Sequence, residues 1–384
     1  MGESITYIGR VDHRNDRRRF GIKREGRLLH TYVIGKTGSG KSTLLGNMAA
    51  QDLEAGNGFV LIDPHGDLVE RVHQEALLAG RQDVIYLDAT DPTQPYGYNP
   101  LRHVRADRIP LAASGLIEVF KKMWSDAWGV RMEHILRNAL YALLEQKNAT
   151  LSDIPRLFRD PAYRKKIAAS LKNEPVRLFW EKEFERYSFA YRADGVASIQ
   201  NKIGAFLADP VMRRILTDPK EPISLRRIMD EGKVLLVNLG KGRIGEDSSA
   251  LLGGLLVTTI GLAAYSRADM APESRRDFFV YVDEFQSFTT LAVANMLSEL
   301  RKYRVGLTMA HQYLFQLEPE IRHAVLGNAG TLISFRLGAE DASYVSREFD
   351  GRFEVGDLLN LENQHIYLKL MIDGQPSKAF SATT

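Results

Sequence analysis

Unbroken apolar runs of four to six residues recur along the chain, and each stops at a glycine, a proline, an acid or an amide. Thr31-Tyr-Val-Ile34 stops at Gly35, and Gly58-Phe-Val-Leu-Ile62 at Asp63-Pro64. Asp83 to Leu87, Lys233 to Asn238, Phe278 to Val282 and Val305 to Ala310 follow the same form, the last two ending in Asp283-Glu284 and His311-Gln312. Thr331 to Leu337 is a further strand-like stretch, interrupted by Ser334 and Arg336. Runs of this length, without alternation, are what strands covered on both faces carry. Between them the spacing turns helical: Leu44, Leu45, Met48 and Ala49; Leu68 to Leu78; Leu291 to Arg301; and a stretch opened by Gly338-Ala-Glu-Asp341. Strand alternating with helix predicts an α/β fold around a central, mostly parallel sheet.

One region breaks the alternation. From about Arg105 to Thr217 no strand-like run occurs. Leu116, Val119, Phe120 and Met123 fall at helical spacing, as do Met132, Ile135, Leu136, Ala139, Leu140 and Leu143, and Pro155, Pro161 and Pro175 punctuate shorter helices. The pattern predicts a small β-element at 1–30, a first core segment at 31–104, an inserted all-α domain at 105–222 and a second core segment at 223–384. The last segment closes in a hairpin around Asp373-Gly374.

Composition narrows the class. The chain has 384 residues, 44% hydrophobic and 26% charged, which suits a globular protein with a sizeable core. It has no cysteine, which excludes disulfides and thiolate-bound metal. The net charge of +3 permits a nucleic-acid partner without arguing for one. Met1 to Arg10 lacks the basic-then-apolar order of a secretory leader. The longest apolar stretch, Ala250 to Tyr265, is shorter than a membrane span and contains Gly253, Gly254, Thr258 and Thr259, so a buried core helix is expected.

The chemistry gathers where the runs stop. Gly35, Gly40, Lys41 and Ser42 meet the pattern G-x-x-x-x-G-K-[ST], between a strand and a helix. Across Gly35, Lys36, Thr37, Gly38, Ser39, Gly40, Lys41, Ser42 and Thr43, glycines let backbone N–H groups curl around phosphate oxygens, and the helix N-terminus adds positive potential. Lys41 is suited to the β- and γ-phosphates of ATP, and the Ser42 hydroxyl to Mg²⁺. Asp283 is suited to the magnesium shell, Glu284 to activating water, and Gln312 to the γ-phosphate or the attacking water.

Other positions admit two readings. Asp63 and His65 suit either a nucleotide or metal contact or an Asp-Pro turn. The cations Arg10, Arg14, Arg17, Arg18, Arg19, Lys23, Arg24 and Arg27 suit a phosphate contact or a solvated hairpin; the interleaved Asp12, Asp16 and Glu25 favour the hairpin. Trp124, Trp128 and Trp180 suit base stacking or, at their helical spacing, a core. Arg301-Lys302-Tyr303-Arg304 complements a helix dipole or serves a neighbouring subunit.

Taken in order, Gly35–Thr43, Ile62-Asp-Pro-His-Gly-Asp67 with Asn99-Pro-Leu101, Val237-Asn-Leu-Gly-Lys-Gly-Arg243, Val282-Asp-Glu-Phe285 and Met309-Ala-His-Gln312 resemble the HerA/FtsK superfamily of hexameric DNA-pumping ATPases. Within it the chain is most similar to the conjugative coupling proteins of type IV secretion, the TraG/TraD group, over about residues 30–380. The resemblance implies a RecA-like P-loop NTPase core with an inserted all-α domain, and a ring of six that binds ATP between subunits and translocates DNA. It implies phosphate and magnesium binding by Lys41 and Ser42, a Walker B pair in Asp283 and Glu284, and a γ-phosphate sensor in Gln312. Arg301 matches the arginine finger inserted into a neighbour's site, with Arg304 as the alternative. A relaxase, a nuclease or a membrane subunit are the partners such proteins meet.

Membrane-bound members of the group begin with transmembrane helices, and none is read here. The expectation is therefore a cytoplasmic protein, with attachment at the inner membrane through a partner left open. A nucleotide-gated scaffold and a DNA-processing or defence motor working with a nuclease are the other readings. The stretch Gly240–Gly245 is a candidate pore loop.

Overall fold

The apolar runs assemble into the middle of one sheet. In this computed structural model, residues 5–12, 17–102 and 104–384 are described, with the backbone alone at 189–194. The eleven strands of the sheet are β1 (Ile5–Val11), β2 (Arg19–Lys23), β3 (Thr31–Ile34), β4 (Gly58–Asp63), β5 (Val84–Asp88), β6 (Val234–Asn238), β7 (Phe278–Val282), β8 (Val305–His311), β9 (Thr331–Ser334), β10 (His365–Lys369) and β11 (Phe380–Thr383). Their order is β2-β1-β11-β10-β9-β3-β8-β7-β4-β6-β5.

From β9 to β6 every pairing is parallel. Register aligns the strand ends. Ile34 stands opposite His311, Met309 opposite Val282, Val282 opposite Ile62, and Asp63 opposite Asn238. The residues just beyond Ile34, Ile62, Val282 and His311 therefore share one carboxyl edge, where open α/β sheets bind their ligands.

The other flank is antiparallel. β10 pairs with β9 and β11, and β1 pairs with β11 and β2. The β-element expected at 1–30 is thus an extension of the main sheet rather than a separate piece. Spacing within 1–30 could not reveal this, because the pairing of Arg10 with Thr383 joins the far ends of the chain.

Helices seal the parallel strands. Leu44, Leu45, Met48, Ala49 and Leu53 of the Lys41–Glu54 helix are buried with Leu68, Val69, Val72 and Ala76 of the Asp67–Leu78 helix, and with Phe59 and Leu61 of β4. Truncating one such leucine to alanine typically costs about 2–5 kcal/mol.

Much of the N-terminal basic cluster is structural. Arg27 is buried and forms a bidentate pair with Asp52, at 2.7 Å on each arm, while also donating to the Tyr281 hydroxyl (2.6 Å) and Thr6 (2.9 Å). Arg24 pairs with Asp277, Lys23 with Asp373 and Arg17 with Asp12. Arg14 and Asp16 lie outside the described residues.

The chain divides into two compact units, 1–86 with 225–240 and 263–384, and 87–224 with 241–262. The first holds the sheet. The second is helical and takes in more chain than 105–222, because the turn-rich connection after β5 and most of the Glu246–Ser266 helix belong to it. Within this unit Trp124 stacks on Phe120 at 4.6 Å, and Trp180 packs on Phe179 and Phe184. Both indoles are buried, so these two are core residues. Trp128 is half-buried and donates to Glu133 at 3.0 Å. The helical stretch Glu246–Asp269, longer than its apolar run suggested, is long and apolar enough to cross a membrane; 72% of its most apolar 18 residues are buried inside the protein.

Candidate active site

β3 ends at Ile34 and the chain turns at once into the loop Gly35–Gly40. Gly35 N–H donates to His311 O (3.3 Å) and Lys36 N–H to Arg336 O (2.8 Å), which fixes the loop between β8 and the segment after β9. Gly38 and Gly40 have φ of 74° and 121°. An L side chain is strained in both conformations, so glycine is required for the loop to curl before the helix begins at Lys41. The first N–H groups of that helix face the loop with no side-chain cap, an arrangement suited to phosphate oxygens.

The Lys41 ammonium is buried in the loop, donating to the carbonyls of Gly35 (2.6 Å) and Lys36 (3.2 Å). Burial pulls its pKa below the ordinary lysine value, while Asp283 and Glu284 oppose that shift. The Ser42 hydroxyl donates to Asp283 Oδ2 at 2.7 Å. Burial holds the Asp283 carboxyl above the usual range; the Ser42 bond opposes this, and the charges of Asp63 and Glu284 add to it. Three carboxylates thus crowd one edge, a setting that a cation would relieve.

Magnesium fits these donors. Among the described residues no group of three or more His, Asp or Glu side chains is arranged to hold a metal by itself. Mg²⁺ needs no such cage, since it takes one or two protein oxygens and completes its shell with water and substrate phosphates. Ser42 and Asp283, already in contact, are the oxygens it would use.

Glu284 is buried in a left-handed conformation, φ 49° and ψ 48°, and its N–H donates to Asp283 Oδ1 at 2.9 Å. Gln312 Nε2 donates to Glu284 Oε1 at 3.0 Å. The other carboxylate oxygen accepts from the Gln286 amide. Behind them His311 is fully buried against the Tyr32 hydroxyl, and desolvation pushes its imidazole down to about 4.

A cavity of about 400 Å³ opens over these groups. Of the residues singled out in the sequence, Thr37 to Thr43, Asp283, Glu284 and Gln312 line it, while Gly35 and Lys36 support it from behind. His65 also lines it. Asp63 does not; its carboxylate accepts from the N–H groups of His65, Leu68 and Val69 and so organises the turn into the next helix. Asn363 and Gln364 line the cavity without any sequence signal. Gln364 N–H donates to Ser39 O at 3.2 Å, tying the start of β10 to the loop.

Arg301 is not brought to the cavity. It is exposed on the turn before β8, at the amino end of a seven-residue strand whose carboxyl end carries Gln312. That length is roughly 23 Å. Arg304, with φ 61°, is engaged by Asp277 and by Glu25 at 2.9 Å. Lys241–Ile244, within the stretch Gly240–Gly245 read as a candidate pore loop, forms a helical turn.

A family model described as the type IV secretion-system coupling protein DNA-binding domain matches residues 21–360. The chain belongs to this family. No curated protein sequence matches it significantly. Among solved structures, the unbound monoclinic form of the bacterial conjugative coupling protein TrwBdeltaN70 is similar with a TM-score of 0.68 at 16% identity, over 98% of this chain and 88% of that one. TrwB in complex with ADP and Mg²⁺ gives 0.66 at 15%, over 100% and 95%. VirB4 of Thermoanaerobacter pseudethanolicus gives 0.65 at 13%, over 100% and 96%. At such identities the likeness speaks to fold, and the fold of this coupling-protein family member is the RecA-like NTPase fold expected from its motifs.

Proposed function

We propose that this chain is a Mg²⁺-dependent ATPase that couples hydrolysis to movement of DNA, working as a ring of six with each site shared between neighbours. The observation that carries the reading is the Ser42–Asp283 hydrogen bond beside the buried Lys41, which joins a phosphate loop to an acid-ended strand in one cavity. The coupling-protein family description, which names a DNA-binding domain, supports DNA as the partner. The complex of TrwB with ADP and Mg²⁺ supports the ligand pair.

In this reading loop N–H groups and Lys41 hold the β- and γ-phosphates. Ser42 and Asp283 would hold magnesium, which would supply charge neutralisation for the phosphates. Gln312 donates to the γ-phosphate. Glu284 accepts a proton from water as its oxygen attacks the γ-phosphorus in line, and the bond to the β–γ bridging oxygen breaks. Arg301 of the neighbouring subunit stabilises the charge that develops. The protein works in the cytoplasm, with a relaxase, a nuclease or a membrane subunit as further partner.

The test is the steady-state ATPase rate with and without single- and double-stranded DNA, at low and moderate salt, with mass in solution recorded alongside. Stimulation by DNA that fades with salt, from a hexamer-sized species, is the expected result. A flat response from a well-formed ring would favour a nucleotide-gated scaffold instead.

A further inference from the structure

Resting on that reading, we infer that Gln286 is a positioning residue for Glu284, holding one carboxylate oxygen in place while Gln312 exchanges from the other oxygen to the γ-phosphate. Each oxygen of the buried Glu284 carboxylate accepts from a different amide, Gln312 on Oε1 and Gln286 on Oε2. The two amides come from different parts of the sheet edge. Gln312 follows β8, a neighbouring strand. Gln286 lies two residues beyond Glu284, in the short 3-10 turn Phe285–Ser287.

The turn is itself anchored. Phe285 is completely buried, Ser287 N–H donates to Glu284 O at 2.9 Å, and Thr289 N–H donates to Phe285 O at 3.0 Å. Gln286 therefore moves with the backbone that carries Glu284, whereas Gln312 does not.

A carboxylate cannot accept a proton efficiently from water along a direction already taken by an N–H donor. Each carboxylate oxygen keeps a second lone pair, but an N–H bond to it lowers its basicity, so Glu284 accepts a proton from water more readily once one amide leaves. Gln312 is the one with a second acceptor to go to, because it also lines the cavity where the γ-phosphate would lie. Its transfer frees Oε1 and leaves Oε2 held. Without the second bond, a glutamate side chain with three rotatable bonds would be free to swing once Gln312 departs, and the freed oxygen would no longer face the water. Arrival of the γ-phosphate thus both frees the base and leaves it aimed.

The experiment uses the full chain and compares Gln286→Met, which keeps length but removes the donor, with wild type and with Glu284→Gln. Nucleotide affinity is read with a non-hydrolysable ATP analogue, and folding by thermal melt. The expected result is a fall in kcat of about 10- to 100-fold for Gln286→Met, with analogue affinity unchanged within about twofold. In the Glu284→Gln background the same substitution should change the residual rate less than twofold, since a residue that acts through Glu284 has nothing left to position. Wild-type kcat in Gln286→Met would overturn the inference. So would a loss of equal size in both backgrounds, which marks a structural role. Gln286→Asn gives a second reading if the methionine variant melts early: its shorter amide should recover folding but not rate. If Glu284→Gln itself turns over normally, the base role of Glu284 fails and with it the part given to Gln286; if the wild type hydrolyses no ATP, the ATPase reading fails.

Discussion

Ser42 and Asp283 lie 241 positions apart in the chain and share a hydrogen bond of 2.7 Å. The contact exists because β7 and β3 flank β8 in a parallel sheet, so the helix after one strand begins level with the acid that ends the other. The hydroxyl and the carboxylate are thereby brought together before any ligand arrives. Each role assigned around that contact has its own test.

Lys41→Ala should weaken binding of a fluorescent ATP analogue by about 100-fold, the scale of losing a charge-assisted contact in a partly dry site. The melting temperature should change little, because Lys41 supports only loop carbonyls in the protein itself. Unchanged affinity in a titration would remove Lys41 from the phosphate site.

Glu284→Gln should bind the analogue as wild type does and hydrolyse ATP about 10²–10⁴ times more slowly, the usual worth of a general base. Single-turnover phosphate release measures this directly. A near-normal rate would assign proton acceptance to another group.

Arg301→Ala should lose about 10³–10⁵ in rate, as arginine fingers typically supply. Its position at the amino edge, roughly 23 Å along β8 from its own Gln312, makes a distinct prediction. Activity should return when this variant is mixed with Glu284→Gln subunits, which donate the arginine but cannot use it themselves. Rings that stay intact and inactive on mixing would argue against action in trans.

Acid should destabilise the fold over a defined window. His30 is buried, with Nδ1 accepting from Leu307 N–H (3.0 Å) and Nε2 bonded to Leu297 O (2.8 Å), so the neutral ring is the form that fits. Desolvation pushes it down to about 4, against a backbone bond that acts the other way, and His311 is pushed down to about 4 as well. The unfolded chain then binds more protons than the folded one below about pH 6.5. The stability these rings contribute is complete above that pH and lost as pH falls toward 4, by about 3 kcal/mol for each. Urea midpoints at pH 7.5, 6, 5 and 4.5 should trace the loss. In His30→Asn, which tolerates the local φ of 64°, the slope should be about half as steep whatever the absolute stability.

The site was legible in sequence to the extent that it is local. A strand buried on both faces must be an unbroken apolar run, so its end is visible, and the residues after Ile34, Val282 and Ala310 announce themselves. Charge and order were harder to read. Arg27 looked like one cation of a solvated run, and its burial depends on Asp52 and Tyr281, 25 and 254 positions away. The same limit hides the joining of β1 to β11 and the arrival of Asn363 and Gln364 beside the phosphate loop. Gln286 stood next to the acids, but an amide on an exposed turn and one gripping a carboxylate have the same sequence.

β8 is followed by Gln312 at one end and preceded by the turn that carries Arg301 at the other, and all seven of its residues are buried between β3 and β7. A strand so enclosed behaves as a rod: it shifts as a whole or not at all. In the proposed ring, with Arg301 acting on a neighbour, whatever Gln312 senses in one subunit would be delivered, along a single piece of backbone, to the next subunit's chemistry. Turnover would then pass around the assembly like a baton, each site timed by the one before it.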